Sequence, residues 1–486
     1  MRFTDRRQAC LAIILAPITI APALGDELFR FLPDVGYESL QFGESVALNG
    51  GLALVGGEGI FTSPVPGNAF LFDAATGTLL SDFPQPTLPG DATPSDSRFY
   101  GVALSDPIPL PGGRVAPVAL IGTTTIEFCF CYPTLVRAYD LTDPANPALL
   151  WNLTPNDAEL NDEFGEAMAI DGNFALIGTP AADDNGGLTG AAYLFDLTTG
   201  QQLSKLLASD GESVDQFGFS VDMNDGLAII GARRDDDAAT NAGAAYIFDV
   251  SDPTAPVELA KLVPNAGDPQ DFFGFSVGIQ GSTAIVGAIF DDDAGFDAGA
   301  AYIYDITTPN APILAQKLTA PDAQNNDDFG WAVAMERQGD RIAALIGART
   351  DDDAGPGNGA AYLFDVTTPT NPLFIEEFLP STVTNVDTFG WAVDIDEGVA
   401  LIGSPGADDQ GSSSGAAYLV EAGLPPASCN PADLAPPFGI TDLDDVDAFI
   451  NAFVASEPLA DLVPPFGIVD LQDVDAFITA FLAGCP

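Results

Sequence analysis

The chain has 486 residues, too many for one ordinary domain, and 70 Asp and Glu against 15 Lys and Arg give a formal net charge of −55. That excess excludes nucleic acid as a partner, because phosphate binding needs a basic surface. There is no histidine, so the commonest general base and the commonest transition-metal ligand are both missing, and any metal is expected on oxygen, calcium rather than zinc.

The N-terminus opens on a basic stretch from Met1 to Arg7, followed by an apolar run over 9–20. Ala23 and Gly25 then stand at the −3 and −1 positions before Asp26. This pattern predicts a secretory signal peptide over 1–25. The run is shorter than the roughly 20 residues a membrane span needs, and no other stretch is long and apolar enough to cross. The chain is therefore expected to be secreted, extracellular or at the cell surface. Divalent cations or a saline medium would relieve the self-repulsion of so acidic a surface.

From 26 to 422 one unit repeats. Phe-Gly or a variant falls at Phe42, Tyr100, Phe164, Phe217, Phe273, Phe329 and Phe389, spaced 58, 64, 53, 56, 56 and 60 residues. Each unit carries four strand signals, which in the fourth are 217–223, 227–231, 244–250 and 257–263 (strands a, b, c and d). Asn224-Asp225-Gly226 is a hairpin turn between a and b. Four antiparallel strands repeated at this period predict an all-β, seven-bladed β-propeller.

The last unit lacks strand d, whereas 27–32, ahead of the first Phe-Gly, matches the d strands elsewhere. An N-terminal strand is thus expected to close the ring and remove two open sheet ends. On strand a, near the axis, Gly lets a neighbouring backbone approach and Phe fills the space between blades. Trp331 and Trp391, directly after the Gly, are read as packing. The second unit departs from the pattern, with a longer a–b segment over 106–113 and Cys129 and Cys131 in place of an acidic loop. For that cysteine pair a local bridge, buried thiols and an intermolecular link remain open.

A Pro-rich linker over 423–428 leads to a small module over 429–486 with its own internal repeat, 432–453 returning 28 residues later as 460–481. Each copy reads as an acidic loop and a helix, with Leu443, Val446, Phe449, Ile450 and Phe453 on one apolar face and Leu471, Val474, Phe477, Ile478 and Phe481 on its twin. Cys429 and Cys485 bracket the module as its only cysteines, so in a secreted chain a bridge between them is expected.

Phe-Gly on strand a and Gly-Ala after strand b (Gly231-Ala232, Gly287-Ala288, Gly347-Ala348) resemble FG-GAP repeats, the family that includes the integrin α-subunit propeller. The resemblance implies an extracellular propeller that binds other macromolecules. The Asp-x-Asp-x-Asp-Gly calcium loop of integrin-type repeats is absent from the a–b turns, so those sites do not carry over.

Acidic residues lie instead in the b–c loops, at Asp183-Asp184, Asp235, Asp236, Asp237, Asp291, Asp292, Asp293, Asp351, Asp352, Asp353 and Asp408-Asp409. A second set stands two residues before Phe, at Asp162, Asp215, Asp271, Asp327 and Asp387. Strand alternation brings both loop sets to one face. A calcium-decorated binding face is one reading; a solvated rim whose Asp and Gly make turns is the other.

The C-terminal module resembles a dockerin-like domain, a duplicated calcium-binding loop–helix unit that docks on a partner. The resemblance matches Asp433, Asp442 and Asp445, and likewise Asp461, Asp470 and Asp473, to loop ligand positions. Ala435 or Val463 and a Pro-Pro pair replace other ligand positions, leaving backbone carbonyls or water to supply oxygens. A cohesin-like or surface-anchoring partner is what this implies. The expected function is a non-enzymatic binding or adhesion protein with an extracellular protein or glycan ligand. The alternative is a polysaccharide-acting enzyme or a carbohydrate-binding component of an extracellular complex. The residues that break the repeat (Arg98, Arg114, Glu127 and Tyr132) form no recognisable catalytic set.

Overall fold

The repeat folds back on its hairpin turn. Asp225 and Gly226 have φ of 50° and 76°, the left-handed pair of a two-residue loop whose twist matches the flanking strands. In the fourth unit the turn joins strand a, Phe217–Asn224, to strand b, Leu227–Ala232; strand c, Ala244–Asp249, and strand d, Val257–Leu262, complete an antiparallel sheet. Strands b and c are buried along nearly their whole length. A neighbouring blade covers each face, so LAIIGA and AAYIFD are continuously apolar or small rather than alternating.

The structure is a computed structural model that describes residues 27–33, 40–57, 68–84, 97–125, 135–159, 161–184, 186–264, 269–383 and 386–424, with backbone alone at 84, 97–100 and 123–125. Among them are seven four-stranded sheets, one two-stranded hairpin and no helix. The segment 1–25 read as a signal peptide, Glu127, Cys129, Cys131, Tyr132, most of the expected linker and the whole of 429–486, expected as a C-terminal module, with Cys429, Cys485, Asp433, Asp442, Asp445, Asp461, Asp470 and Asp473, lie outside the described residues. No helix among the described residues is long and apolar enough to cross a membrane.

Closure occurs where the missing strand predicted it. Glu27–Phe31 pairs antiparallel with strand c of blade 7, Ala416–Glu421, setting Phe29 opposite Leu419 and Phe31 opposite Ala417. Phe31 is 2% exposed, and its ring lies 4.4 Å from that of Phe72 in blade 1. The clasp therefore seals the seam between the last blade and the first. Residues from strand a of all seven blades line an axial cavity of about 370 Å³.

The Phe-Gly pair packs as its chemistry demands. Phe217 is fully buried, edge-on to Tyr246 and Phe248 of its own blade, in a cluster shared with Leu176 and Leu194 of blade 3. Gly218 has φ of 89°, and a Cβ there would stand 2.2 Å from the carbonyl oxygen of Ala191 in that blade. Carboxylates at the axis staple neighbouring blades. Asp222 accepts the backbone N–H of Ile279 in blade 5 at 2.8 Å, and Asp394 of blade 7 accepts that of Leu48 in blade 1 at 2.7 Å.

Two details differ from the sequence reading. Strand a of blade 7 is Val393–Asp396 and that of blade 3 is Met168–Asp171, so neither starts at its Phe. Phe389 keeps only an isolated bridge to Gly359. In these two blades strand b is followed by Pro180 or Pro405, where blades 4 and 6 carry Arg233 and Arg349, and proline has no N–H with which to extend a ladder. In blade 2 the long a–b segment forms an extra hairpin, Ile108–Leu110 with Arg114–Ala116.

Candidate functional site

The b–c and d–a loops meet on one face of the ring. The backbone N–H of Arg234, in the b–c loop, donates to the Asp215 carbonyl in the d–a loop at 3.2 Å. Asp162, Asp215, Asp271, Asp327 and Asp387 are all buried there, none more than 7% exposed. Asp215 accepts the backbone N–H of Glu212, and Asp162 that of Glu159, so these carboxylates tie their own loops. Burial pushes Asp215 and Asp327 up to about 6.

The three Asp of each b–c run have separate surroundings. Asp235, Asp291 and Asp351 are buried, and each accepts a hydrogen bond from the strand c tyrosine of its blade, Tyr246, Tyr302 or Tyr362. Asp236 and Asp292 turn the loop by accepting the N–H of Asn241 and Asp297. Asp352 is exposed, as are Asp237, Asp293 and Asp353.

Lysines enter these clusters from strand d. Lys261 Nζ lies 2.8 Å from Asp235, 2.6 Å from Asp237 and 2.9 Å from Asp210. Lys317 reaches Asp291 and Asp293, and Lys205 reaches Asp157 and Asp184. Each ammonium also lies 5.1–5.3 Å from the centroid of its tyrosine ring. In blade 7, Arg30 of the clasp pairs with Asp409 and with the hydroxyl of Thr382. Burial alone would raise Asp210, yet hydrogen bonds from Lys261 and Tyr246 outweigh it and hold the carboxyl below its usual value.

Blade 6 departs from this plan. Glu377 stands opposite Tyr362, the register position that Lys261 holds opposite Tyr246. Asp322, Asp353 and Glu377 each bring a carboxylate oxygen within 4.8 Å of the others. Burial, then the charge of Asp322, Asp351 and Asp353, pushes Glu377 up to about 7. Asp353 rises to about 6, through desolvation and then a hydrogen bond with Asp322.

Nearer the axis the same face is aromatic and cationic. Phe219, Phe275, Trp331 and Trp391, each directly after its Phe-Gly, form an arc across blades 4 to 7, with centroids 5.1, 4.5 and 4.9 Å apart in turn. The Arg233 guanidinium lies 3.6 Å from the Phe219 centroid, and that of Arg349 lies 3.3 Å from Trp331. All four rings and both guanidinium side chains are half-buried. Burial, and then the neighbouring charge of Arg234, pulls Arg233 down to about 10. The packing role expected of Trp331 and Trp391 is visible in these contacts.

Sequence reasoning missed the partners rather than the acids. Asp210 and Asp322 both stand seven residues before their Phe, and Lys205, Lys261 and Lys317 recur at 56-residue intervals. Of the residues that break the repeat, Arg114 pairs with Asp140 of strand c in blade 2.

Residues 151–195, 201–248, 256–304, 314–364 and 375–420 match the family model described as FG-GAP repeat. Each match begins within or just beside a d strand and ends in strand c of the next blade, so together they cover blades 3 to 7. No curated protein matches the chain. The chain thus carries five FG-GAP repeats within a seven-bladed β-propeller.

Proposed function

We propose that this chain is a secreted or surface-anchored, non-enzymatic binding protein. Its propeller presents the b–c and d–a face to an extracellular protein or glycan, its C-terminal module anchors it, and calcium supports the binding face. The observation that carries the reading is the arc of Phe219, Phe275, Trp331 and Trp391 with Arg233 and Arg349 at the centre of that face. Half-exposed aromatic planes stack on apolar or sugar surfaces, and a guanidinium offers a planar fork of donors. The carboxylates outside the arc would repel acidic competitors and so add selectivity.

The test is capture of cell-surface proteins and arrayed glycans by the immobilised full-length chain, with and without calcium. A Trp331→Ala/Trp391→Ala variant is expected to lose at least ten-fold in affinity while keeping its β-sheet circular dichroism. Undiminished binding by a folded variant would remove the arc from the site.

A further inference from the structure

Blades 4 and 6 carry the same device with one difference. In each, the arginine directly after the Gly-Ala of strand b lies on the ring that follows Phe-Gly, Arg233 on Phe219 and Arg349 on Trp331. In each, the guanidinium Nε donates at 2.8 Å to the residue before the Phe. In blade 6 that residue is Asp328, a carboxylate that neutralises Arg349. In blade 4 it is Gln216, an amide that leaves the charge of Arg233 standing.

Arg234 adds a second positive charge beside the first, and its Nε is buried with no hydrogen-bond partner. Among the described residues, neither Arg233 nor Arg234 forms an ion pair. Burial and the charge of Arg234 both lower the pKa of Arg233, and Glu163 and Glu166 of blade 3 offset them only in part. The other cations of this face in blades 3 to 7 (Arg30, Lys205, Lys261, Lys317 and Arg349) each have a carboxylate at 3.3 Å or less. Acidic side chains outnumber basic ones 70 to 15 in this chain, so an acid was at hand for these two as well. A desolvated charge is costly unless an opposite charge answers it.

We infer that Arg233 and Arg234 pair with a carboxylate of the ligand, and that this ligand is a glycan whose chain is neutral except for an isolated acidic sugar; this rests on the aromatic arc being the binding site and names the ligand's chemical class. The guanidinium fork matches the two oxygens of a carboxylate. An acidic sugar joins an apolar ring face and a carboxylate in one rigid unit, so stacking on the arc and pairing with the arginines cost little ordering. The rim argues against larger or more highly charged partners. A protein interface of standard size takes about 800 Å² from each side. It would spread from the centre over the exposed Asp236, Asp237, Asp292, Asp293, Asp352 and Asp353 and strip water from them. A glycan charged on every sugar would meet the repulsion of the same carboxylates.

The experiment is titration of the full-length protein, with calcium present, with a trisaccharide ending in glucuronic acid and with the same trisaccharide ending in glucose. Tryptophan fluorescence is the readout, because Trp331 and Trp391 belong to the arc. Wild type is expected to bind the acidic probe at least ten-fold more tightly than the neutral one, and the preference should shrink in about 0.5 M salt, where charges are screened within a few ångströms. An Arg233→Gln/Arg234→Gln variant should bind the two probes alike. Arg234→Gln alone, which leaves the Arg233 stack in place, serves if the double variant does not fold, and should lose at least three-fold of the preference. Equal affinity of wild type for the two probes, or a preference kept by the folded variants, would overturn the inference. So would tighter binding of a neutral peptide with one Asp, or of polygalacturonate, than of the acidic trisaccharide. If both trisaccharides bind equally and Trp331→Ala/Trp391→Ala abolishes both, the arc stands as a binding site and only its acidic ligand is refuted. If neither binds, the glycan is refuted, and protein capture that depends on the same tryptophans would still support the arc.

Discussion

Replacing Phe31 by alanine tests whether the ring depends on its clasp. The side chain is 2% exposed and sits in one cluster with Leu40, Phe42, Phe72, Leu401 and Leu419, drawn from the two blades that meet at the seam. Truncating a buried Phe removes its transfer free energy and leaves a cavity, together about 3–5 kcal/mol. Domains are stable by roughly 5–15 kcal/mol, so the loss is a large fraction of the whole. Urea m-values reach about 3 kcal/mol/M in small proteins and grow with size, so the midpoint should fall by up to about 1–1.7 M. Urea unfolding followed by tryptophan fluorescence is a suitable assay, because Trp151 lies in blade 2 and Trp331 and Trp391 lie in blades 6 and 7. Phe29, half-buried on the same strand, is the control and should cost less than half as much on truncation. Equal losses at the two positions, or an unchanged midpoint for Phe31→Ala, would refute the claim that this residue seals the ring.

Two further outcomes follow from the axis and the blade contacts. Burial pushes Asp222 and Asp394 up to about 7, above an unfolded value of about 4, so the folded chain binds these protons more tightly. Their stabilising contribution is complete below about pH 4 and disappears as pH rises through about 7. The melting temperature should therefore rise between pH 8 and pH 5, and Asp222→Asn should flatten that slope; an unaltered slope would exclude Asp222 as a source. Gly218→Ala would force a side chain onto a left-handed backbone and against the Ala191 carbonyl 2.2 Å away, for a loss of about 2–4 kcal/mol. Gly50→Ala, also left-handed but with nothing within 4 Å, should cost about 1 kcal/mol; chemical denaturation giving equal losses would contradict the close-approach argument.

The number of blades, the strand order and the N-terminal closure were all legible in the chain. The unit recurs seven times, and its period-2 and short apolar runs leave few alternatives. Asn224-Asp225-Gly226 announced its turn because few residues tolerate two consecutive positive φ angles. The missing d strand was legible by subtraction, since an unpaired strand c in blade 7 demanded a partner and only 27–32 had the right pattern. Strand alternation also sufficed to bring the b–c and d–a loops to one face.

Tertiary structure decided what those loops contain. Lys261 is 24 residues from Asp237 and 51 from Asp210, and only the blade brings the three together. Phe219, Phe275, Trp331 and Trp391 are each 56 or 60 residues from the next, yet their rings touch because strand a of every blade converges on the axis. Charge compensation and stacking are pairwise and fall off within a few ångströms, so they depend on distances that repeat spacing does not encode. The sequence by itself determined a closed ring of seven blades with an acidic face. Packing of blade against blade decided which acids are neutralised, and left Glu377 among carboxylates where its sister blades hold lysine.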